Sequence, residues 1–381
     1  MKARFEDVIA RVTGNVDRYK TDLEFYVGGD QYDSSALTIE RRGDLKKDVD
    51  ILGFKFHFPF KSGDVLLMAR NPHLRKAGQV FFDGLCSDAS YILRTKDESR
   101  LRQNYIPIIL QSNHFWDWFE SHKTGGITFL MNWGMLKTYE FELPDIKEQD
   151  IIMTKVWAAY KLKKTYQSLI AATDEMVKSR FIEMFGNPLS HDQKYPLKRL
   201  GECVEINPRR SALSLNDSDL VSFVPMPSVS EEGHLQDLSD VEFGKVKKGF
   251  TYFKNGDVLF AKITPCMENG KGAIAESLTN DTGMGSTEFH ILRPIEGLSS
   301  AYWAFALTRL PVFREKAAKN MTGTGGQKRV PSSFLADFPI GLPPICEQNK
   351  FAEIYKQADK SKFELRQAIE KIDKVMRALI G

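Results

Sequence analysis

Residues 346–381 read CEQNKFAEIYKQADKSKFELRQAIEKIDKVMRALIG, and this stretch decides the fold. It contains no proline, and its only glycine is Gly381. Apolar and small residues recur in it at alternating steps of three and four, which is the heptad seam of a coiled coil. The seam comprises Phe351, Ile354, Ala358, Ser361, Leu365, Ala368, Ile372, Val375 and Leu379. Such a helix is about 50 Å long, and a single seam needs a partner helix.

The partner helix is predicted over residues 147–187. Apolar residues recur there at helical spacing, with lysine and glutamate between them. Gly186 and Pro188 end this helix, because glycine suits the position after a helix and proline cannot continue one. The two segments predict an antiparallel coiled coil within one chain rather than a dimerisation zipper. We therefore expect a monomer in solution.

The rest of the chain contains a long internal repeat. Three short motifs occur twice in the same order: GDVL at residues 63–66 and 256–259, TGG at 124–126 and 324–326, and LP followed by EQ at 143–149 and 342–348. Each EQ pair precedes one of the two long helices. The repeat predicts an α+β protein with two similar domains of mixed strand and helix, residues 1–146 and 188–345. Helices over 147–187 and 346–381 link them, which gives a pseudo-two-fold symmetric plan.

Composition sets broad limits on function. The chain has 381 residues, 42% of them hydrophobic, and a formal net charge of +3, which permits nucleic-acid binding without requiring it. The four cysteines are scattered without zinc spacing, so free thiols are expected. No run approaches the ~20 apolar residues of a membrane span. These features favour a cytoplasmic protein with no membrane contact.

Catalytic motifs are missing from the sequence. No (D/N)PP(Y/F) loop, Walker sequence, HExxH or GxSxG occurs. The only Pro-Asp, at Pro144-Asp145, precedes a predicted helix instead of the strand that a PD…(D/E)xK nuclease needs. The sequence therefore predicts a chain that is non-catalytic by itself, with no cofactor or metal of its own.

Basic loops are the candidate binding sites. One follows the predicted strand at 257–261 and carries Lys262, Thr264, Asn269 and Lys271. Lysine and threonine suit phosphate contact, and asparagine can bind an adenine edge. A plain turn remains the alternative, because Asn-Gly is itself a hairpin signal.

Two further loops have the same character. Gln327, Lys328 and Arg329 follow the glycines of TGTGG, where backbone amides can approach a phosphate. A flexible loop tip is the alternative there. In the first domain a basic loop lies at the position equivalent to 262–271, and its polar residues are Arg70, Asn71, Arg75 and Lys76.

These motifs resemble a known family. GDVLFAKITPCMENGK (256–271), TGTGGQKRVP (322–331) and the LPP…EQ helix entry (342–348) are similar to the specificity subunits of type I restriction–modification systems. The resemblance implies that each globular domain is a target recognition domain for one half of a bipartite site in double-stranded DNA. It implies that the helices set the gap and dock two methyltransferase subunits, with restriction subunits joining them. S-adenosylmethionine, ATP and Mg²⁺ would belong to those partners.

The resemblance also assigns residues. The DNA-facing positions it implies in the second domain are Lys262, Thr264, Asn269, Lys271, Gln327, Lys328 and Arg329. The first domain has NPHLRKAG in place of TPCMENGK, so Arg70, Asn71, Arg75 and Lys76 are inferred by position alone, and the two half-sites are expected to differ. Two other functions stay open: a non-catalytic coiled-coil adaptor with two β-rich ligand-binding modules, and an enzyme with an unrecognised site.

Overall fold

The chain forms two compact units. The computed structural model describes residues 1–122, 130–190, 194–210, 214–324 and 326–381. The first unit comprises Met1–Ser168 with Leu365–Gly381, and the second comprises Leu169–Glu364. Among the described residues, no helix has both the length and the apolar character needed to cross a bilayer.

The first unit is built of short strands and helices. Its strands are β1 Lys2–Arg4, β2 Ile9–Val12, β3 Phe25–Val27, β4 Gly43–Asp44, β5 Phe56–Phe60, β6 Val65–Met68, β7 Ala77–Gln79, β8 Gly84–Ser87, β9 Ser90–Thr95 and β10 Glu140–Glu142. Its helices are α1 Phe5–Val8, α2 Leu45–Asp48, α3 Ile106–Gln111, α4 Asn113–His122, α5 Trp133–Leu136 and the start of α6 Ile146–Phe185. Short 3-10 helices lie at Pro72–Leu74 and Gln103–Tyr105.

The second unit repeats this series. Its strands are β11 Leu197–Arg199, β12 Val204–Ile206, β13 Leu220–Val224, β14 Ser239–Glu242, β15 Thr251–Phe253, β16 Val258–Ala261, β17 Gly272–Ile274, β18 Gly283–Gly285, β19 Phe289–Pro294 and β20 Pro339–Gly341. Its helices are α7 Leu200–Cys203, α8 Phe243–Val246, α9 Ala301–Arg309, α10 Pro311–Lys319, α11 Ser332–Asp337 and the start of α12 Ile345–Ile380. Its 3-10 helices lie at Met226–Ser228 and Thr279–Asp281.

Sheet topology confirms that the two domains are copies of one fold. Strand order is β2-β9-β6-β7 in one sheet of the first unit and β12-β19-β16-β17 in the second. The other large sheets, β4-β3-β8-β5 and β14-β13-β18-β15, correspond in the same way, as do the pairs β1-β10 and β11-β20. Both copies contain one parallel pairing, β3 with β8 and β13 with β18. The predicted α+β class with two similar domains is therefore confirmed.

Each copy encloses its own core. In the first unit Phe115 and Phe119 of α4 pack with Leu93 of β9 and Val156 of α6. In the second, Trp303 of α9 belongs to the corresponding cluster between sheet and long helices. The central strands β6 and β16 are buried at every position, which explains their unbroken apolar sequences.

The repeated GDVL motif has a structural role. Asp64 accepts a hydrogen bond from the backbone N–H of Lys61 and pairs through both carboxylate oxygens with Arg94. Asp257 binds the N–H of Lys254 and pairs with Arg293 at 2.6 and 2.7 Å. The aspartate therefore closes the turn before the central strand and ties it to the neighbouring strand.

The repeated glutamine of the EQ pair has a similar role. Gln149 is fully buried, accepts a hydrogen bond from the N–H of Arg102, and donates to the carbonyls of Arg100 and Pro144, each at 2.9 Å. Gln348 makes the equivalent three bonds, to Ser300, Leu298 and Pro343. The first turn of each long helix is thereby fixed to its own domain.

The long helices pack together in each unit, as predicted. In the second unit Phe351 of α12 lies 5.5 Å from Phe181 and 5.4 Å from Phe185 of α6, between ring centroids. Lys362 of α12 donates to Asp174 at 2.8 Å. Since residue numbers rise along α6 as they fall along α12, the pair is antiparallel. In the first unit the equivalent salt bridge joins Lys163 and Asp373 at 2.7 Å.

The predicted seam of α12 is wrong in two places. Ser361 and Val375 are exposed, whereas the next residues along the chain, Lys362 and Met376, are buried. A straight helix has 3.6 residues per turn rather than the 3.5 of a heptad repeat, so its buried stripe drifts forward along the sequence. Lys362 lies about three whole turns after Phe351 and Met376 about seven, so all three residues are on the same face of the helix.

Candidate nucleic-acid interface

The two basic segments of the second domain come together in space. Thr322 and Arg329 exchange backbone hydrogen bonds of 2.9 and 2.8 Å, so residues 322–324 and 326–329 are the described parts of a hairpin. Its second arm lies against the loop after β16, because the N–H of Thr264 donates to Lys328 at 3.0 Å and that of Val330 donates to Lys262 at 2.9 Å. Two segments that the sequence analysis treated separately therefore form one surface.

Two arginines that the sequence analysis missed hold this loop. Arg314 of α10 donates to the backbone carbonyls of Thr308, Met267 and Gly270. Arg309 of α9 donates to Gly270 as well, at 3.2 Å. They lie outside every motif that the sequence analysis singled out, so no signal distinguished them from solvent-facing cations.

The predicted polar residues of the loop already have partners within the domain. Thr264 donates to Glu268 at 3.1 Å, and Asn269 donates through Nδ2 to Glu231 at 2.9 Å. Lys271 is half-buried and reaches the carbonyl of Met226 at 3.5 Å. These contacts order the loop, and to bind DNA Thr264 and Asn269 would have to exchange or share their bonds.

The remaining polar residues of this surface differ in accessibility. Gln327 and Lys328 are exposed, and Lys262 is half-buried. Within the part of the chain that the structure describes, none of these three side chains makes a hydrogen bond or ion pair. They are therefore the residues of this surface whose polar groups are available to a phosphate.

Arg329 is held by a carboxylate. Its Nε lies 2.9 Å from Glu288 Oε2 and its Nη2 lies 2.7 Å from Glu288 Oε1. The arginine and glutamate side chains are 40% and 25% exposed. The hydrogen bonds from the Arg329 guanidinium, with some help from Lys262, hold the pKa of Glu288 below its usual value, so the pair is fully charged at neutral pH.

In the loop of the first domain, two of the four predicted residues are exposed and the other two make hydrogen bonds within the domain. Arg70 and Asn71 are exposed, and Asn71 has a left-handed backbone conformation (φ 50°) that opens the 3-10 helix Pro72–Leu74. Lys76 instead donates to the carbonyl of Gly29 at 2.7 Å, and Arg75 donates to Asn113 of α4 at 3.1 Å. Of the four predicted residues, Arg70 and Asn71 are thus the two whose side chains make no hydrogen bond to the described residues.

Arg75 lines a cavity of about 320 Å³ between α4 and the long helices of the first unit. Lys163, already paired with Asp373, lies on its wall.

The TGG segment of the first copy (124–126) and Gly325 lie outside the described residues.

A buried histidine makes a hydrogen bond to the backbone directly after the hairpin. His290 of β19 donates through Nε2 to the carbonyl of Val330 at 2.8 Å, and Asn207 lies 3.0 Å from its Nδ1. In the first copy the hydroxyl of Tyr91 donates to Met131 at 2.6 Å in the same place. Burial, with a smaller contribution from Lys262, lowers the pKa of His290.

We expect the second unit to lose stability on acidification because of this histidine. Its folded-state pKa lies below the 6.5 of an exposed histidine, so the unfolded chain binds the proton first as pH falls. The contribution of His290 to the free energy of unfolding is fully present above about pH 6.5. Below that pH it declines, by at most about 1.4 kcal/mol per pH unit.

His290→Gln keeps the donor to Val330 without titrating, so its urea-unfolding midpoint between pH 7 and 5 is expected to vary less than that of the wild type. Equal slopes for both proteins would show that another group titrates.

Comparisons with known proteins bear on this surface. Residues 193–374 match the family described as "Type I restriction modification DNA specificity domain". This range contains the loop after β16, the hairpin and most of α12.

Curated relatives match part of the chain. The "Type I restriction enzyme EcoEI specificity subunit" of Escherichia coli is 38% identical over 161 residues, which is 42% of this chain and 26% of that protein. The "Type I restriction enzyme EcoAI specificity subunit" of the same species is 34% identical over 187 residues, 48% of this chain and 31% of that protein. The matched segments thus span about a quarter to a third of the relatives' length.

Solved structures show the same fold. A chain from "Structural basis underlying complex assembly and conformational transition of the type I R-M system" matches with a TM-score of 0.54 at 17% identity, covering 100% of this chain and 96% of that one. The "Type-I restriction-modification system S subunit from M. genitalium" matches with a TM-score of 0.54 at 10% identity, covering 100% and 94%. The resemblance to specificity subunits that the motifs predicted is confirmed.

Proposed function

Because residues 193–374 match the family described as "Type I restriction modification DNA specificity domain", we propose that this chain selects the DNA sequence for a type I restriction–modification complex. Each domain binds one half of a bipartite site. The observation that carries the proposal is the duplication itself: one topology occurs twice, with basic but different side chains on the loop after the central strand. A repeated scaffold with different loops suits two half-sites of different sequence.

The long helices are proposed to set the gap between half-sites and to dock two methyltransferase subunits, with restriction subunits joining the complex. Their surfaces support docking, because Met176 of α6 and Val375 of α12 occupy equivalent positions and are 45% and 54% exposed. The chain itself is proposed to be non-catalytic and to act in the cytoplasm as one copy per complex. S-adenosylmethionine, ATP and Mg²⁺ are assigned to the partner subunits.

Methylome sequencing of the host, with and without this chain, tests the proposal. Deletion is expected to abolish N6-adenine methylation at one bipartite motif, and re-expression to restore it. If the chain were an adaptor for other ligands, every methylated motif would survive deletion. Methyl transfer by the isolated chain would instead favour an enzyme.

Lengthening both helices is expected to change the gap alone. One heptad added to α6 and one to α12, at residues 168/169 and 364/365, lengthens the pair by about 10 Å, or about three base pairs at 3.4 Å each. The methylated motif is expected to keep both half-sites and gain about three undefined positions. An equal insertion at Gly297, in an exposed turn, serves as control. Altered half-sites with an unchanged gap would contradict the role of the helices.

A further inference from the structure

The two copies carry different side chains at one equivalent place beside the loop. In the second unit the N–H of Lys262 donates to the backbone carbonyl of Glu288 at 2.9 Å, and in the first the N–H of Ala69 donates to the backbone carbonyl of Ala89 at 2.7 Å. Glu288 in one copy therefore corresponds to Ala89 in the other.

The neighbouring residue corresponds in the same way. Ile263 forms a β-bridge with Arg329, and Arg70 forms one with Leu130. The following residue also bonds to the loop in both copies. The N–H of Val330 donates to the carbonyl of Lys262 at 2.9 Å, and the N–H of Met131 donates to the carbonyl of Ala69 at 2.8 Å. An arginine–glutamate pair in the second copy is thus replaced by leucine and alanine in the first.

The geometry of Arg329 suits recognition of a base. Glu288 binds its Nε and Nη2, while Nη1, among the described residues, has a single 3.4 Å contact with the carbonyl of Gln327. A carboxylate on one edge of a guanidinium fixes the plane of the group and leaves the edge formed by Nη1 and Nη2 available to a ligand, and the Arg329 side chain is 40% exposed. Two parallel donors in that geometry match O6 and N7 of guanine in the major groove.

The corresponding position of the first copy has the opposite character. Leu130 is 54% exposed, and Ala89 beside it has no polar side-chain atom. An exposed leucine offers a guanine edge no donor, but it can contact the methyl group of thymine. Burying that methyl group against an apolar side chain is favourable.

We propose that Arg329, oriented by Glu288, binds a guanine in the half-site of the second domain, and that Leu130 occupies the equivalent position in the first domain and selects a thymine. This inference rests on the proposed function and adds to it the residues that make the half-sites different. Lys328, next to Arg329 and exposed, contacts phosphate and carries no base preference.

The test compares methylated motifs of wild type and variants, each co-expressed with the host's methyltransferase subunit. Arg329→Ala is expected to remove the requirement for one guanine in one half-site, with a loss of discrimination of about 5- to 150-fold at that position, from the 1–3 kcal/mol of a bidentate contact. Every other position keeps its base. Glu288→Gln is expected to relax the same position, which a role in folding alone would not do.

Two further variants complete the comparison. Leu130→Ala is expected to relax one thymine in the other half-site, whereas Phe81→Ala, a change of a similarly exposed apolar residue between β7 and β8, leaves the motif intact. Lys328→Ala is expected to weaken methylation evenly and to lower the salt dependence of duplex binding without changing the motif.

The outcomes separate this inference from the proposed function. If the wild-type chain specified no motif, the proposed function itself would fail. If the wild type specified a motif and Arg329→Ala weakened it evenly at every position, Arg329 would be a phosphate contact and the guanine assignment would be wrong. A wild-type half-site without guanine would overturn it equally.

Discussion

Asp257→Asn is expected to destabilise the second unit by about 3–5 kcal/mol, the usual cost of breaking a buried ion pair from one side. The Asp257 side chain is 1% exposed and that of its partner Arg293 is 18% exposed. An amide keeps only one acceptor oxygen, so its NH2 group faces either Nε of Arg293 or the two donors that share the other oxygen, Nη2 of Arg293 and the N–H of Lys254. The turn before the central strand then loses at least one hydrogen-bond acceptor and the negative charge that pairs with the arginine.

Tryptophan fluorescence can assign this loss to one unit. Trp303 is the single tryptophan between residues 169 and 364, and the other four lie between residues 116 and 157. With those four replaced by phenylalanine in every protein compared, Trp303 fluorescence in urea follows the second unit.

Asp337→Asn is the matched control, because Asp337 pairs with Arg199 on the surface, where both side chains are at least 66% exposed and such pairs contribute about 0–1 kcal/mol. Similar midpoints for Asp257→Asn and Asp337→Asn would refute the anchoring role.

The repeat was predictable from sequence because it rests on local motifs. GDVL and EQ recur since each makes the same bonds in both copies, through Asp64 and Asp257 and through Gln149 and Gln348. Their function in the fold was not predictable, because Arg94 and Arg293 lie outside the motifs and only the strand pairing brings them near.

The site was predictable in part for the same reason. Basic loops are visible in sequence, but hydrogen bonds between segments about 60 residues apart are not, so the contact of Lys262 with the hairpin had no local signal. Glu288 had none either, since it is a single acid outside every repeated motif. The inward turn of Arg75 and Lys76 likewise depends on partners at Asn113 and Gly29.

The helix pair shows how a correct pattern can place a residue on the wrong face. Heptad counting put Ser361 in the seam and left Lys362 outside, although Lys362 is 3% exposed and lies between Asp174 and Asp359 at 2.8 and 3.5 Å. A buried lysine in an otherwise apolar seam fixes the register of the two helices, because its charge has an ion-pair partner only where α12 lies beside an acidic residue of α6.

Lys362→Glu is therefore expected to destabilise the second unit by at least about 3 kcal/mol, since it buries a carboxylate beside two others. Adding Asp174→Lys restores an ion pair of reversed polarity, and is expected to recover part of the loss, because Asp359 still faces the new glutamate. Trp303 fluorescence in urea measures the wild type, the two single variants Lys362→Glu and Asp174→Lys, and the double variant as a double-mutant cycle.

The first unit supplies the comparison that separates register from simple charge. Lys163 and Asp373 are equivalent to Lys362 and Asp174, but the lysine side chain is 23% exposed, against 4% for the side chain of Lys362, so solvent screens the pair more. Lys163→Glu is expected to cost less than Lys362→Glu. If both reversals cost the same, or if Asp174→Lys rescued nothing, apolar packing such as that of Phe351 on Phe181 would be what fixes the register of the helices.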